Sequence, residues 1–151
     1  MADVSLKVRL QEEMKDALRG GDKVRLGALR MLSASITNHE KELRRDLTDE
    51  EVRQVAAREV KRRTESIEAF ERGGRADLVE KETTERNVLS PYAPERLSDV
   101  EVDALVDAAI ADTGATSMAD MGNAMRAVMA SGKGRVDGGA AQAKVRERLS
   151  G

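Results

Sequence analysis

The sequence contains no cysteine and no tryptophan, and Phe70 and Tyr92 are its only aromatic residues. Without cysteine there is neither a disulfide framework nor a thiolate that could act as a nucleophile or metal ligand. The scarcity of aromatic rings excludes the stacking platforms with which RRM and OB-fold proteins bind single-stranded nucleic acid. The core must therefore be built from aliphatic side chains, with seven methionines as adaptable filling.

Proline and long apolar segments are equally scarce. The two prolines stand at positions 91 and 94, and no apolar run is long enough to span a bilayer. The first residues include Asp3 and Lys7 and lack the apolar core of a secretory signal. From these features we expect a cytoplasmic protein that does not contact membranes.

Charged residues are abundant, at 36% of the 151 positions against 40% apolar ones, and the formal net charge is −2. This balance leaves no uniform basic field of the kind that marks a dedicated nucleic-acid binder. Locally the charge is uneven, since residues 98–116 hold five acids and no base, whereas residues 117–151 hold six bases and three acids. The length suits one ordinary domain or two small lobes.

Apolar side chains recur at helical spacing along the chain, and strong helix formers dominate it. Capping boxes are expected to begin two helices, at Thr48 with Glu51 and at Ser98 with Glu101. Two apolar seams illustrate the spacing, namely Leu6, Leu10, Met14 and Leu18, and then Leu29, Leu32, Ile36 and Leu43. The pattern predicts an all-α fold of seven helices, near residues 5–19, 22–45, 48–72, 76–89, 98–113, 117–131 and 137–149.

The second and third predicted helices are each about 36 Å long. A short connection joins them, so they should pack as a long antiparallel hairpin. The segment 90–94, Ser-Pro-Tyr-Ala-Pro, interrupts the helical pattern, because each proline removes a backbone donor and disfavours helix in the residue before it. It is either a boundary between lobes or a tight corner inside one domain. We predict an N-terminal helical lobe, a hairpin or bundle, over residues 1–93 and a small three-helix C-terminal lobe over residues 94–151.

No motif assigns a catalytic, cofactor-binding or metal-ligating role to any residue, and we predict no cofactor. His39 is the only histidine, and it lacks the further imidazole or carboxylate cage that a metal site requires, so we expect it at the surface or its boundary. The glycine-rich segment 132–139 suggests a phosphate loop, but it lacks the G-K-[ST] ending and a preceding strand. Asp137 is placed to cap the following helix, which leaves chain turning as the simpler role of these glycines.

Charged clusters are the remaining candidates for function. An acidic stripe, with residues four apart on one helix, is either a solvated face or a docking surface for a basic protein partner; it consists of Asp99, Asp103 and Asp107. The first group of candidates for contacts to RNA phosphates is Lys133, Arg135, Lys144 and Arg148, where we expect unpaired positive charge. The second choice is Arg58, Lys61 and Arg62. On composition alone, an ordinary helix surface with salt bridges is the simpler interpretation of both groups.

Several short strings span nearly the whole chain in a fixed order. They are Gly21 to Lys23 with Leu26 to Leu32, Leu47 to Val52, Glu65 to Phe70, Tyr92 to Ser98, Met118 to Gly122, Lys133 to Gly138 and Val145 to Leu149. Together they resemble the YqeY-like family, which is related to the tail domain of the GatB subunit of tRNA-dependent amidotransferases. The chain departs from the family at Ala93, where leucine is usual, and at Asn123 and Arg126 on the Met-rich helix.

The resemblance implies a larger N-terminal helical lobe and a small three-helix C-terminal lobe. In the amidotransferase subunit such a tail helps to hold tRNA, while a separate domain carries out the ATP- and glutamine-dependent chemistry. The resemblance therefore implies a non-catalytic accessory module that binds tRNA or a tRNA–enzyme complex, with carbon–nitrogen ligase chemistry by relationship only. The alternative is a helical protein–protein interaction module that does not bind RNA.

Overall fold

A computed structural model describes residues 5–150 of the chain. Within that range the regular structure consists of α-helices and short 3₁₀ turns, with no β-strand, which confirms the predicted all-α fold. The α-helices are α1 (Leu6–Gly20), α2 (Lys23–Leu43), α3 (Asp49–Arg72), α4 (Ala76–Leu89), α5 (Asp99–Thr113), α6 (Met121–Gly132) and α7 (Gly138–Leu149). None of these described helices has the length and apolar character needed to cross a membrane.

Hydrogen bonds at the helix ends confirm the predicted start signals. Thr48 with Glu51 at α3, and Ser98 with Glu101 at α5, form complete capping boxes, in which each side chain accepts a hydrogen bond from the other residue's backbone N–H. Helix α1 is followed by Gly21 with φ 70°, a left-handed conformation that glycine adopts without strain. Local sequence therefore determines where most of these helices begin and end.

Two leucines of the predicted seams lie on the surface instead. Leu18 is 62% exposed, because residues four apart advance about 40° around a helix and the fourth member of the stripe has turned about 120° from the first. Ala17 is buried in its place. Leu43 is 48% exposed because it is the last residue of α2, beyond the buried seam. The predicted sixth helix also begins late, since Met118–Asp120 form a 3₁₀ turn before α6.

The chain divides into two compact units, and the first ends at Pro94. Three contacts pair α2 and α3 in opposite directions, which confirms the antiparallel hairpin: Met31 with Arg63, Ser35 with Glu59 and His39 with Arg58. The core of this unit is rich in leucine, and it also contains the fully buried ring of Tyr92, from a 3₁₀ turn over Ser90–Tyr92. The proline-flanked segment thus packs a side chain into the first unit.

The second unit begins at Glu95 and contains α5, α6 and α7. Its core is built almost wholly from valine and alanine: Val102, Val106, Ala109, Ala115, Ala124, Val128, Val136, Ala141, Val145 and Leu149. The segment before α5 is held to the α6–α7 loop, because the Leu97 N–H donates to the Arg135 carbonyl at 2.9 Å. The predicted lobes, residues 1–93 and 94–151, differ from these two units by one residue at the boundary.

Candidate nucleic-acid interface

The acidic stripe on α5 faces the basic side chains of α7 within the second unit. Lys144 Nζ lies 3.0 Å from Asp99 Oδ1 and 2.8 Å from Asp103 Oδ1. The Arg148 guanidinium lies 3.1 Å from Asp103, and its Nε donates to Asp107. We call these five residues the ionic ladder. The expectation that Lys144 and Arg148 carry unpaired charge is therefore wrong, and α7 engages the stripe that was expected to be solvated or free for docking.

The ionic ladder changes the proton affinity of its members. Hydrogen bonds from Lys144, and secondarily from Arg148, lower the pKa of Asp103. The same contacts raise the pKa of Lys144, chiefly through Asp103, and that of Arg148, chiefly through Asp107. Both basic side chains therefore stay protonated at neutral pH. With three carboxylates and two cations the ladder has a formal charge of −1, so it offers little attraction to a phosphate as it stands.

The loop between α6 and α7 holds the other two C-terminal candidates. Lys133 is exposed and follows α6 in a left-handed conformation, with φ 46°. Arg135 is half-buried, and its Nε donates to the Glu95 carbonyl at 2.7 Å, so this side chain anchors the start of the unit. Asp137 caps α7 by accepting the Ala140 N–H at 2.9 Å. As expected, this carboxylate occupies a backbone donor that a phosphate loop would need.

The second-choice group lies in the first unit, on the solvent side of α3. Arg58, Lys61 and Arg62 are all exposed. Arg58 lies 3.4 Å from Nε2 of the half-buried His39. The His39 Nδ1 is 2.8 Å from the Ser35 backbone carbonyl on α2. Arg62 is 3.5 Å from Glu59, whereas Lys61 forms no ion pair with any residue between 5 and 150. These three cations lie together, but in a different unit from the C-terminal candidates.

A buried charge cluster on α3 was not predicted from the sequence. Arg63 is 3% exposed; its guanidinium donates to Glu59 at 2.8 Å, and its Nε lies 3.3 Å from a Glu85 carboxylate oxygen on α4. Glu59 also accepts a hydrogen bond from Ser35 on α2 at 3.1 Å. The burial of Glu59 and Arg63 could have been predicted, because they share the three- and four-residue spacing of the buried positions 52, 55, 56, 60 and 67. The cluster links three helices and has no solvent-facing role.

A line of cations on α2 was also not predicted from the sequence. Lys23, Arg30 and Lys41 are seven and eleven residues apart, which places them within about 20° of one line that is about 27 Å long. All three are exposed, and none forms an ion pair or side-chain hydrogen bond with the described residues. We call them the α2 cation line. The sequence could have revealed this line, because no acid stands three or four residues before or after any of the three cations.

The chain is similar to a known family and to two known proteins. The family model described as Yqey-like protein matches residues 7–149. A Pyrenophora tritici-repentis protein named "Altered inheritance of mitochondria protein 41, mitochondrial" is 35% identical over 144 residues, which cover 92% of this chain and 78% of that protein. A Schizosaccharomyces pombe protein named "Uncharacterized protein C22F3.15" is 26% identical over 96 residues, 64% of this chain and 78% of that protein. On this evidence, the chain belongs to the YqeY-like family.

Proposed function

We propose that this YqeY-like protein is a non-catalytic accessory module that binds tRNA, or a tRNA–enzyme complex, in the cytoplasm. The relationship of the family to the tail domain of tRNA-dependent amidotransferases supports this role. In the proposal, the ATP- and glutamine-dependent steps of amide formation belong to a partner enzyme. The present chain contributes a rigid helical surface that holds the nucleic acid.

The observation that carries the proposal is the basic face of α3. Arg58, Lys61 and Arg62 stand exposed within about one helical turn, and Lys61 has no ion-pair partner in the range 5–150. Cations held on a rigid helix bind phosphates by releasing condensed counterions, and this term supplies most of the affinity of non-specific nucleic-acid binding. Such contacts position an RNA without reading its bases. They suit a folded RNA, since the chain has so few aromatic rings on which unpaired bases could stack.

Equilibrium binding of labelled tRNA at several salt concentrations tests the proposal. From the three phosphate contacts of the α3 face alone, at a slope of about −0.7 to −0.9 per contact, raising the salt concentration fourfold should weaken binding roughly 20- to 40-fold. Affinity should differ little between tRNA species, because the contacts are to phosphates. If the wild-type protein binds no tRNA even at low salt, the RNA-binding proposal is wrong.

Charge-removing variants locate the contacts. The triple change R58Q/K61Q/R62Q should lower affinity and reduce the salt slope by about 2 to 3, because three phosphate contacts are lost. Arg62 is counted among them because the Glu59 carboxylate near it is already engaged by Arg63 at 2.8 Å. The change K133E/R135E examines the C-terminal loop in the same way. The matched control is R19Q/R53Q/R75Q, which removes three positive charges that already pair with Asp16, Glu50 and Asp77. It should bind tRNA like the wild type, so an equal loss in the control would mean that net charge alone governs binding.

A protein–protein interaction module is the second candidate, and exposed apolar side chains favour it. Val100 on α5 is 78% exposed and Leu18 on α1 is 62% exposed, so each offers an apolar side chain to a partner. A basic partner at the acidic stripe would have to displace Lys144 and Arg148 from their carboxylates. This candidate predicts a defined protein complex that persists after ribonuclease treatment and is lost when Val100 is changed to lysine.

A further inference from the structure

The solvent face of α2 differs from the other charged helix surfaces in having cations without acids. On other helices, groups of basic side chains are engaged by carboxylates, as in the ionic ladder. On α2, by contrast, Lys23, Arg30 and Lys41 form a straight line with no acidic neighbour one turn away in either direction. Of the two acids on α2, Glu40 binds Lys7 at 2.7 Å, and Glu42 lies about 100° around the helix from the line.

The surface between these cations carries only small, uncharged side chains. Gly27, Ala34, Thr37 and Asn38 are exposed and fall on the same face of α2. Nothing lies within 4 Å of the place where a Gly27 Cβ would stand, so the helix surface is open at that point. Small side chains allow a ligand backbone to approach the helix, and Thr37 and Asn38 can donate hydrogen bonds to phosphate oxygens.

The composition of this face identifies the kind of partner. A protein partner would be expected to meet large apolar or aromatic side chains at the centre of the contact. Here the centre has none, and the two large apolar residues, Val24 and Met31, lie along one edge. A partner that is recognised by a row of separated positive charges over about 27 Å is an extended polyanion. The backbone of a folded RNA has that chemistry.

We infer that the α2 cation line is a phosphate-docking face for a folded RNA, in addition to the basic face of α3. This inference rests on the proposed RNA binding and names a second surface that takes part in it. Each cation neutralises one phosphate, and the line fixes the direction in which the RNA backbone runs along α2. Because the bases are not contacted, the face contributes affinity and orientation but not sequence preference.

A triple variant, K23Q/R30Q/K41Q, tests the inference. Glutamine has nearly the same helix propensity as lysine and arginine, so α2 should stay helical, which circular dichroism will check. The loss of three phosphate contacts should weaken binding of a transcribed tRNA roughly 100-fold at 0.1 M salt and reduce the salt slope by about 2 to 3. The control R19Q/R53Q/R75Q changes the net charge equally and should bind like the wild type.

A second variant leaves all three cations in place. Gly27→Glu places a carboxylate between Lys23 and Arg30 at helical pairing distance, and it should raise rather than lower the helix propensity of α2. It should weaken tRNA binding and also reduce the salt slope, because the new acid neutralises part of the line. Gly27→Gln is the uncharged control of similar size, and it should keep most of the affinity.

The outcomes separate this inference from the proposed function. If the wild type binds tRNA and K23Q/R30Q/K41Q binds within about threefold of it, the α2 face is not a docking site, while the proposed function stands. If the wild type binds no tRNA at low salt, both fall. Binding to vesicles with anionic lipids or to polyglutamate, without tRNA binding but sensitive to the triple change, would assign the face to another polyanion and overturn the inference.

Discussion

The two units of this protein use ion pairs in opposite ways. In the first unit, Arg63 is buried together with Glu59 between three helices, and Glu85 closes the cluster. In the second unit, Lys144 and Arg148 pair on the surface with carboxylates whose side chains are 41% to 85% exposed. Both arrangements are built from residues at helical spacing. Only the first removes its charges from water, so only the first makes each partner indispensable to the others.

Burial decides how much the loss of one partner of an ion pair destabilises the fold. A surface ion pair gains little, because water already solvates both groups and salt screens them. A buried pair need not stabilise a fold more than apolar residues would, but loss of one partner leaves an uncompensated charge in the interior. The first unit should therefore be sensitive to single changes within its buried charge cluster, and the second unit tolerant of single changes within the ionic ladder.

The largest effect is expected from Arg63→Met. This change leaves two carboxylates without their shared cation in the interior, and it should lower the free energy of unfolding by roughly 3–5 kcal/mol. Urea unfolding followed by circular dichroism measures the loss. Hydrogen exchange should show reduced protection of amides in α3 and α4, with amides of α5 to α7 unchanged.

Two controls separate charge from packing at this cluster. Arg62→Met removes a neighbouring cation that is 69% exposed and should leave stability nearly unchanged. The triple change E59Q/R63M/E85Q removes all three charges and should recover most of the loss. If the triple variant is less stable than Arg63→Met, the cluster acts through hydrogen bonds and not through uncompensated charge.

An intermediate effect is expected at the glycines of the two units. A Cβ at Gly132, in the tight core of the second unit, would lie 2.7 Å from Val136 Cγ2, and such overpacking should destabilise by about 1–3 kcal/mol. At Gly27, in the open face of α2, alanine should stabilise by about 0.5–1 kcal/mol through helix propensity. Thermal unfolding of both single variants and of G132A/V136A measures the difference. A double variant no better than Gly132→Ala would show that the clash with Val136 is not the cause.

The helix caps and the buried positions show which parts of this fold the sequence alone predicts. The caps at Thr48, Ser98 and Asp137 follow from neighbours within three residues, and all three were predicted. Burial along a helix needs the 3.6-residue period, which a fixed four-residue stripe misses at Leu18. The buried pair of Glu59 and Arg63 was readable from its place on the apolar stripe of α3, but a charged pair is usually assigned to a surface.

Ion pairs between helices could not be predicted from the sequence. Lys144 pairs with Asp103, 41 residues away along the chain. No periodicity within one helix reveals that pairing, because it depends on how α5 packs against α7. The acidic stripe and the basic last helix were each visible in the sequence, but their mutual neutralisation was not. The absence of acids three and four residues from Lys23, Arg30 and Lys41 is a local feature, so the α2 cation line could have been predicted from the sequence.

A smaller effect is expected from acid titration of the second unit. The pKa of Asp103 is lowered in the folded protein, so folded Asp103 holds its proton less tightly than Asp103 in the unfolded chain does. Its stabilising contribution is therefore fully present above the ordinary aspartate pKa of about 3.9 and is lost as the pH falls through the lowered folded value. Asp103→Asn should lack this pH dependence. Urea unfolding of both proteins between about pH 2 and 6 gives the difference, which should shrink toward zero at the acid end; a constant difference would refute the linkage.

The smallest effect is expected from K144Q/R148Q on tRNA binding. Both cations are held by the three aspartates of the ionic ladder, so a phosphate would have to displace a carboxylate that is already in place. Affinity should change by less than about threefold, and the salt slope by less than about one contact, whereas R58Q/K61Q/R62Q should lose two to three contacts.

The reverse change gives a clearer test. D99N/D103N/D107N frees both cations, and it should strengthen tRNA binding and steepen the salt slope by up to about two contacts. If K144Q/R148Q instead lowers affinity as much as the α3 variant, the ladder opens when RNA binds, and the C-terminal unit is part of the interface despite its ion pairs.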